Sequence, residues 1–289
     1  MAGKEDTTAH EGEGGGYYIW SNSTAPLLSQ FQLGAAKLLL HPRGLALPHY
    51  ADSSKIGYLH SWIDTTNSSE ETIVVIKKGD VIPMSKGVMS WWFNASNTDV
   101  VIIFLGETSK ALEPGQFTYF FMAGALGILA GFQSDFVARI FSLDRKEAKT
   151  LVTNQHETLI TVLKDGIKIP EPSKHILDTI HATIVSPSAD VVVICEGVWD
   201  GNAMLAPTYT ADGSVVMSYV TKGSGRIRVV GSTGKTDLDT KVEEGDLIIV
   251  PPIFTAAEIR NVWDGAFLSR NILNACYWEI GWNSFILER

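Results

Sequence analysis

Two stretches far apart in the chain are built alike. TIVVIKKGDVIPMSKGV, around Gly79, and TKVEEGDLIIVPPIF, around Gly245, each run into a Gly-Asp pair, then into a short apolar strand, and end at a proline or glycine turn. An earlier element recurs too: LALPHYADSS precedes Gly57 and MLAPTYTADG precedes Gly223. The Gly-Asp pairs lie 166 residues apart (245 − 79), and Pro48 and Pro207 lie 159 apart (207 − 48). Two landmarks at nearly equal separation mark a duplicated unit. At 289 residues the chain is long enough to give each copy a core of its own.

The texture of both halves is that of strands. From Tyr17 onward, short runs such as KLLLHPRGLALPHY, DVVIIFLGE and FTYFFMAG are bounded by Gly, Pro, Asn, Asp or Ser. From HATIVS onward the pattern returns in DVVVICEGVW, SVVMSYVTKG, GRIRVVGS and GDLIIVPP. β-branched and aromatic runs between turn residues predict a sandwich or small barrel. Between the halves, SDFVARIFSLDRKEAKTLVTNQ places apolar residues at 136, 137, 140, 141, 143, 148, 151 and 152, close to a helical period. Asp144 followed by Glu147 fits a capping box, so 134–155 reads as a helix pair. The expected organisation is a disordered tail over 1–16 and a first β-domain over 17–133. A helical segment and Pro-rich linker follow over 134–180, and a second β-domain with a terminal extension over 181–289.

Composition removes several function classes. The formal net charge is −9 and the isoelectric point about 5.3, and no basic cluster stands out, which argues against nucleic acid as a partner. The longest apolar stretch, YFFMAGALGILAGF, is short and broken by glycines, so no membrane span is expected. The N-terminus, MAGKEDTTAHEGEGGG, lacks the apolar core of a secretory signal, which as the sequence stands implies a cytoplasmic address. The sequons at Asn22, Asn67 and Asn94 matter only in the secretory pathway. Cys195 and Cys276 each sit in an apolar run and read as buried thiols; whether they pair is left open by the sequence.

These residues resemble a bicupin, an all-β protein of two cupin (jelly-roll β-barrel) domains with interposed helices. One cupin motif is glycine, five spacers, Pro-x-Gly, two spacers, His, three spacers, Asn. Gly79, Gly87 and Asn94 fall at those offsets, with Ser85 at the proline and Ser90 at the histidine. In the other motif, His-x-His followed by Glu, His49 matches the first histidine, while Ala51 and Lys55 stand at the second histidine and the glutamate. In the second half Thr208 and Thr210 take the two histidine positions and Ala256 the last. More narrowly, HPRGLALPHYADSSKIGY, IIFLGETSKALEPG, KIPEP and YVTKGSGRIRVVGSTGK are similar to the legumin-type (11S) seed globulins and their glutelin-like relatives in plants. The resemblance implies a nutrient reserve that self-associates as a trimer or hexamer, with helices packing between neighbours, and by family a vacuolar location. Against that pattern, the chain has no Asn-Gly processing bond where precursor globulins are cut. The segment between Tyr58 and Glu70 is short for the strand pair that normally sits there.

A catalytic cupin needs several imidazoles or carboxylates converging on one ion. The first half offers His49 alone: Ser90 is a poor neutral ligand and Lys55 a cation. Thr208, Thr210 and Ala256 are no better, so no metal and no other cofactor is expected. The alternative to a reserve is a metal-free enzyme or small-molecule binder. Its catalytic candidates are His49, Lys55 and Ser90. Its first-barrel pocket would add Ala51 and Trp92 to His49 and Ser90, and Thr208, Thr210 and Ala256 are the matching positions of the second. The bland reading is a hydrogen-bonded barrel histidine beside a lysine that points to solvent. Gly223-Ser-Gly225 reads as a hairpin turn, since no helix follows to hold a phosphate.

Overall fold

The computed structural model describes residues 2–5, 7–59, 63–66, 73–76, 80–156, 158–167, 169, 192–198, 204–210, 215–231, 233–260, 266–272 and 277–279. The chain forms two compact units: Glu5–His181, and Ala182–Arg289 together with Met1–Lys4. Strand β1 (Ala2–Gly3) belongs to the second of these. The first unit opens with β2 (Thr7–Gly12), β3 (Gly15–Ile19), helix α1 (Pro26–Gln30), β4 (Leu33–Leu40), β5 (Gly44–Ala51) and β6 (Lys55–Leu59). It continues through β7 (Ile63–Thr66), β8 (Ile73–Ile76), β9 (Val81–Met84), β10 (Ser90–Phe93), β11 (Val100–Glu107) and β12 (Tyr119–Phe121). Helices α2 (Ile128–Gly131), α3 (Ser134–Phe141) and α4 (Arg145–Thr153) precede its last strand, β13 (Ile160–Val162). The second unit holds β14 (Val192–Val198), β15 (Met204–Thr210), β16 (Val215–Val220), β17 (Ser224–Val230) and β18 (Thr236–Glu243). It closes with β19 (Leu247–Val250), β20 (Thr255–Arg260), β21 (Ala266–Ile272) and β22 (Tyr277–Glu279).

Each unit is a pair of antiparallel sheets. The first has orders β2-β3-β4-β11-β6-β9 and β12-β5-β10-β7-β8, with β13 also on β5. The second has orders β1-β19-β16-β21-β14 and β18-β17-β20-β15-β22. Raising each number in β4-β11-β6-β9 by ten gives β14-β21-β16-β19, and β12-β5-β10-β7-β8 likewise gives β22-β15-β20-β17-β18. The duplication in the sequence is therefore a duplication of hydrogen-bond topology. The fold is all-β, two jelly-roll barrels; α2–α4 are inserted in the first unit between β12 and its last strand, β13, so the helical segment expected to follow the first β-domain belongs to that unit.

The repeated prolines explain a shared irregularity. On β5, Ser90 pairs with His49 and Trp92 with Ala46, so an extra residue bulges out around Leu47-Pro48. On β15, Leu205 pairs with Glu258 and Thr208 with Ala256, so the same bulge falls around Ala206-Pro207. Proline has no N–H to give a ladder, and inside a sheet it is confined to edges and bulges. Pro83 obeys the same rule on β9, which among the described strands lies at its sheet edge and pairs with β6 alone; the chain turns after it, at Gly87 with φ +77.

The first core is filled from the inner faces of both sheets. β4 and β11 pair over eight positions, and Leu38, Leu40, Ile102 and Phe104 are buried between the layers with Trp92 and Tyr119. Each such side chain removed from water contributes roughly 1.5–3 kcal/mol. Asn94 is fully buried: its amide donates to the Leu40 and Thr98 carbonyls, and its oxygen accepts from Ser96. That amide is committed to the fold, whatever its sequon suggests. In the second unit Val220, Ile227, Val229, Val242, Ile248 and Val250 form the corresponding cluster.

Three expectations are corrected. Residues 1–16 are not a disordered tail: they supply β1, β2 and the start of β3, and Glu5 pairs with Lys37. Their glycines look like linker composition but serve close backbone approach. A Cβ on Gly14 would strike the Thr161 carbonyl and one on Gly12 the Ile160 carbonyl, while Gly15 has φ +135. Residues 63–66 and 73–76 pair as the β7–β8 strands, so the strand pair is present despite the short spacing. Gly223 does not turn a hairpin, because β16 and β17 lie in different sheets; it carries the chain across the barrel edge with φ +89. The helix pair forms as α3 and α4, and Asp144 and Glu147 make the reciprocal capping box. Most of the Pro-rich linker and Cys276 lie outside the described residues.

Gly14→Ala is expected to destabilise the protein by about 2 kcal/mol, since its methyl must displace a carbonyl in a packed sheet. Chemical denaturation measures this, and an unchanged midpoint would restore the reading of 1–16 as a loose tail.

Candidate functional site

The bulge at Leu47-Pro48 sets the centre of the first barrel. It brings His49 opposite Ser90 on β10 and Phe121 on β12, with Ala51 opposite Tyr119. His49 and Ala51 share a face because strand side chains alternate. His49 is buried, and both of its ring nitrogens are engaged. Nδ1 lies 2.7 Å from the Leu47 carbonyl, which can only accept, so Nδ1 carries the proton. Nε2 is then the acceptor, and Tyr17 donates its hydroxyl to it at 2.8 Å. Burial holds the imidazole neutral, lowering its pKa to about 3, with Lys55 and His10 adding repulsion against the Leu47 hydrogen bond. Burial also pushes the Tyr17 and Tyr119 hydroxyls well above the usual tyrosine range.

Lys55 does not point to solvent. It is 4% exposed, and its Nζ lies 4.2 Å from the Tyr119 ring centroid, 4.4 Å from Phe104 and 5.3 Å from Phe117. Its position at the start of β6, facing the inner layer, takes it there. Burial lowers its pKa to about 7, partly offset by the Asp52 charge. Asp52 does not pair with it directly: its carboxylate accepts from the backbone N–H groups of Leu112 and Thr118 and from the Ser53 hydroxyl, tying the 108–118 loop to the end of β5. Among the described residues, the buried Ser90 Oγ, Trp92 Nε1 and Tyr119 hydroxyl have no hydrogen-bond partner.

The seven pocket positions named from the sequence fall in two sets. His49, Ala51, Ser90 and Trp92 line the interior of the first barrel. In the second, Thr208 stands across from Ala256 and from Glu279, and Thr210 from Tyr277, which matches the first-barrel register strand for strand. Tyr17, Tyr119 and Asp52 were not marked by sequence reasoning; only the register makes them neighbours of His49 and Lys55.

A metal ion does not fit the first-barrel positions. His49 spends both nitrogens on protein partners, and Ala51, Ser90 and the Lys55 cation offer no replacement donors. Among the described residues no three His, Cys, Asp or Glu side chains gather as a metal set.

Two buried bases predict the pH profile of the ligand-free protein. Between pH 7 and 10.5 the unfolded chain binds the Lys55 proton and the folded one does not, so stability rises with pH across that window. Below pH 7 the full cost remains, on the order of 5 kcal/mol. Lys55→Met should therefore be more stable than wild type at pH 6, with the gain shrinking towards pH 10.5. His49 acts at lower pH: protonation of the unfolded state removes stability as pH falls from 6.5 towards 3. Denaturation curves across pH for wild type, Lys55→Met and His49→Ala measure both slopes.

Comparison with known proteins agrees with this architecture. The Cupin family model matches residues 3–149 and 191–261. The 11S globulin seed storage protein 2 of Sesamum indicum is 18% identical over 89% of this chain and 76% of its own length. The 11S globulin subunit beta of Cucurbita maxima is 20% identical over 73% of this chain and 60% of its own. Among solved structures, procruciferin, an 11S globulin from Brassica napus, superposes with a TM-score of 0.83 at 18% identity, covering 97% of this chain and 86% of that one. The family match spans most of the sequence and both barrels, and the chain belongs to the cupin family, as a two-barrel member similar to the 11S seed globulins.

Proposed function

We propose that the protein is a non-enzymatic reserve of the seed-storage type, selected for dense packing and self-assembly rather than for turnover. The observation that carries this is the first-barrel centre, where the histidine that would grip a metal is neutral and bonded to Tyr17 and Leu47. The likeness to seed storage globulins, at low identity but over nearly the whole chain, supports the same reading.

The helices provide the assembly surface in this reading. Leu126, Ile128, Phe132, Phe136, Ile140 and Phe141 are all exposed, and Phe132 stacks on Phe136. Helix α3 buries only Val137, which leaves Phe136 and Ile140, one turn apart and each 58% exposed, on an uncovered face. A second and third copy of the chain cover it in a closed trimer, and a hexamer joins two such rings.

Light scattering after size exclusion should return a trimer or hexamer mass for wild type. Phe136→Glu with Ile140→Glu should return monomer, and His49→Ala should leave the mass unchanged. In tissue, the protein should accumulate in seed and fall on germination, and fractionation into vacuolar and cytosolic pools reads its compartment. Steady low abundance outside seed would overturn the reserve role.

A further inference from the structure

The duplication gives each unit the same sheet edge, and the two copies of that edge are defended differently. β9 and β19 hold equivalent places at the ends of β4-β11-β6-β9 and β14-β21-β16-β19. A free edge offers a row of N–H and C=O groups to any extended chain, and proteins block it with proline, charge or cover. β9 carries Pro83. β18, which among the described strands ends its own sheet, carries Asp237, Asp239, Lys241 and Glu243. β19 is Leu-Ile-Ile-Val, with neither proline nor charge, and its cover is β1. That cover is slight. β1 meets β19 at two positions, Ala2 with Ile248 and Gly3 with Leu247, whereas β16 meets it at four. Among the described residues a Cβ added at Gly3 would meet nothing within 4 Å, so the strand gains no side-chain packing there. Lys4 then runs past Gly245 and pairs with Glu243 at 2.8 Å, but the two side chains are 50% and 67% exposed, and such pairs contribute little.

We propose that the edge of β19 is a docking surface for the β19 edge of a second copy, and that residues 2–4 are the latch that keeps the two apart. The strand is complementary to itself. Run antiparallel about a two-fold axis, with Leu247 opposite Val250, two copies exchange ladder hydrogen bonds along an apolar row in which no like charges face each other. The acid that precedes the strand is not a barrier in this register, because Asp246 falls opposite Pro251 and not opposite another carboxylate. Pro251 and Pro252 end the pairing after four residues, which keeps the contact closed and prevents a growing sheet. Ile253, 60% exposed, lies just beyond and gains cover from the partner. A strand such as β18 would instead set its charges on the apolar row, and a helix face has no edge to pair. Loss of the latch, by cleavage of the N-terminal segment or by displacement, therefore joins copies edge to edge. This surface lies apart from the α2–α3 face, goes beyond the reserve role and does not depend on it.

The experiment is light scattering after size exclusion, with melting curves, on the full chain, on a variant lacking residues 2–4 and on Lys4→Glu. Each is also made with Phe136→Glu and Ile140→Glu. Deletion of the latch should double the mass in either background while the melt stays cooperative. Lys4→Glu should show a mass that climbs with protein concentration above that of wild type. It should also speed amide exchange at Leu247 and Ile248 by about threefold, the scale of an exposed ion pair. Adding Glu243→Lys to it should restore both readings. Unchanged mass on deletion overturns the proposal. So does a mass gain that comes with loss of the cooperative melt, since that is aggregation of unfolded chain. If the deletion variant does not fold, Lys4→Glu decides, and mass and exchange equal to wild type overturn the proposal. The helix-face background separates this contact from the assembly of the reserve reading, because there the doubling starts from whatever mass that background has. Seed abundance is untouched by either result.

Discussion

The bulge at Leu47-Pro48 governs the first barrel. A strand that carries proline cannot keep an unbroken ladder, and here the ladder gives way one residue before the histidine. The slip points the Leu47 carbonyl back at the His49 ring, and that bond selects the tautomer that then accepts from Tyr17. A register error of one residue would turn His49, Ala51 and their cross-strand partners to the opposite face. The same bulge recurs at Ala206-Pro207 in the second barrel, where threonine and alanine occupy the corresponding positions. Duplication has thus preserved the backbone device in both barrels while the side chains it aims have diverged.

Cupin chemistry rests on imidazoles whose lone pairs converge on an ion. In this chain the geometry that would aim them survives, but the lone pairs are occupied or missing. What stands near the old centre is a buried lysine ringed by aromatic faces, with several hydroxyl and indole donors left over. Asp52 contributes at a distance: its charge bears on Lys55, while its oxygens are committed to holding the 108–118 loop. The first-barrel centre is part of the packed core, and the fold depends on that packing.

The helices after the first barrel follow a different logic. Their start and stop signals are local: the Asp144–Glu147 box opens α4, and Ser142 in the left-handed region ends α3. Their stability is not local. Short helices with a single buried residue each gain little from propensity, and most of their apolar surface faces outward. The proposed self-assembly would give the apolar residues of 126–153 the cover that the helices themselves leave undone.

The sequence by itself determined the duplication, the β texture of both halves, the capped helix pair and the identity of every residue at the motif positions. Those signals are periodic or carried by residue type, so they need no coordinates. Only the tertiary structure decided that EGEGGG is strand-forming backbone squeezed against β13, that Gly223 links two sheets, and that Lys55 lies inside. Glycine composition reads alike whether it grants freedom or permits close approach, and for Gly12 and Gly14 this is decided by β13, more than a hundred residues away. Likewise, a lysine at a strand start can face either way, and sheet register alone turned this one onto Tyr119 and Phe104.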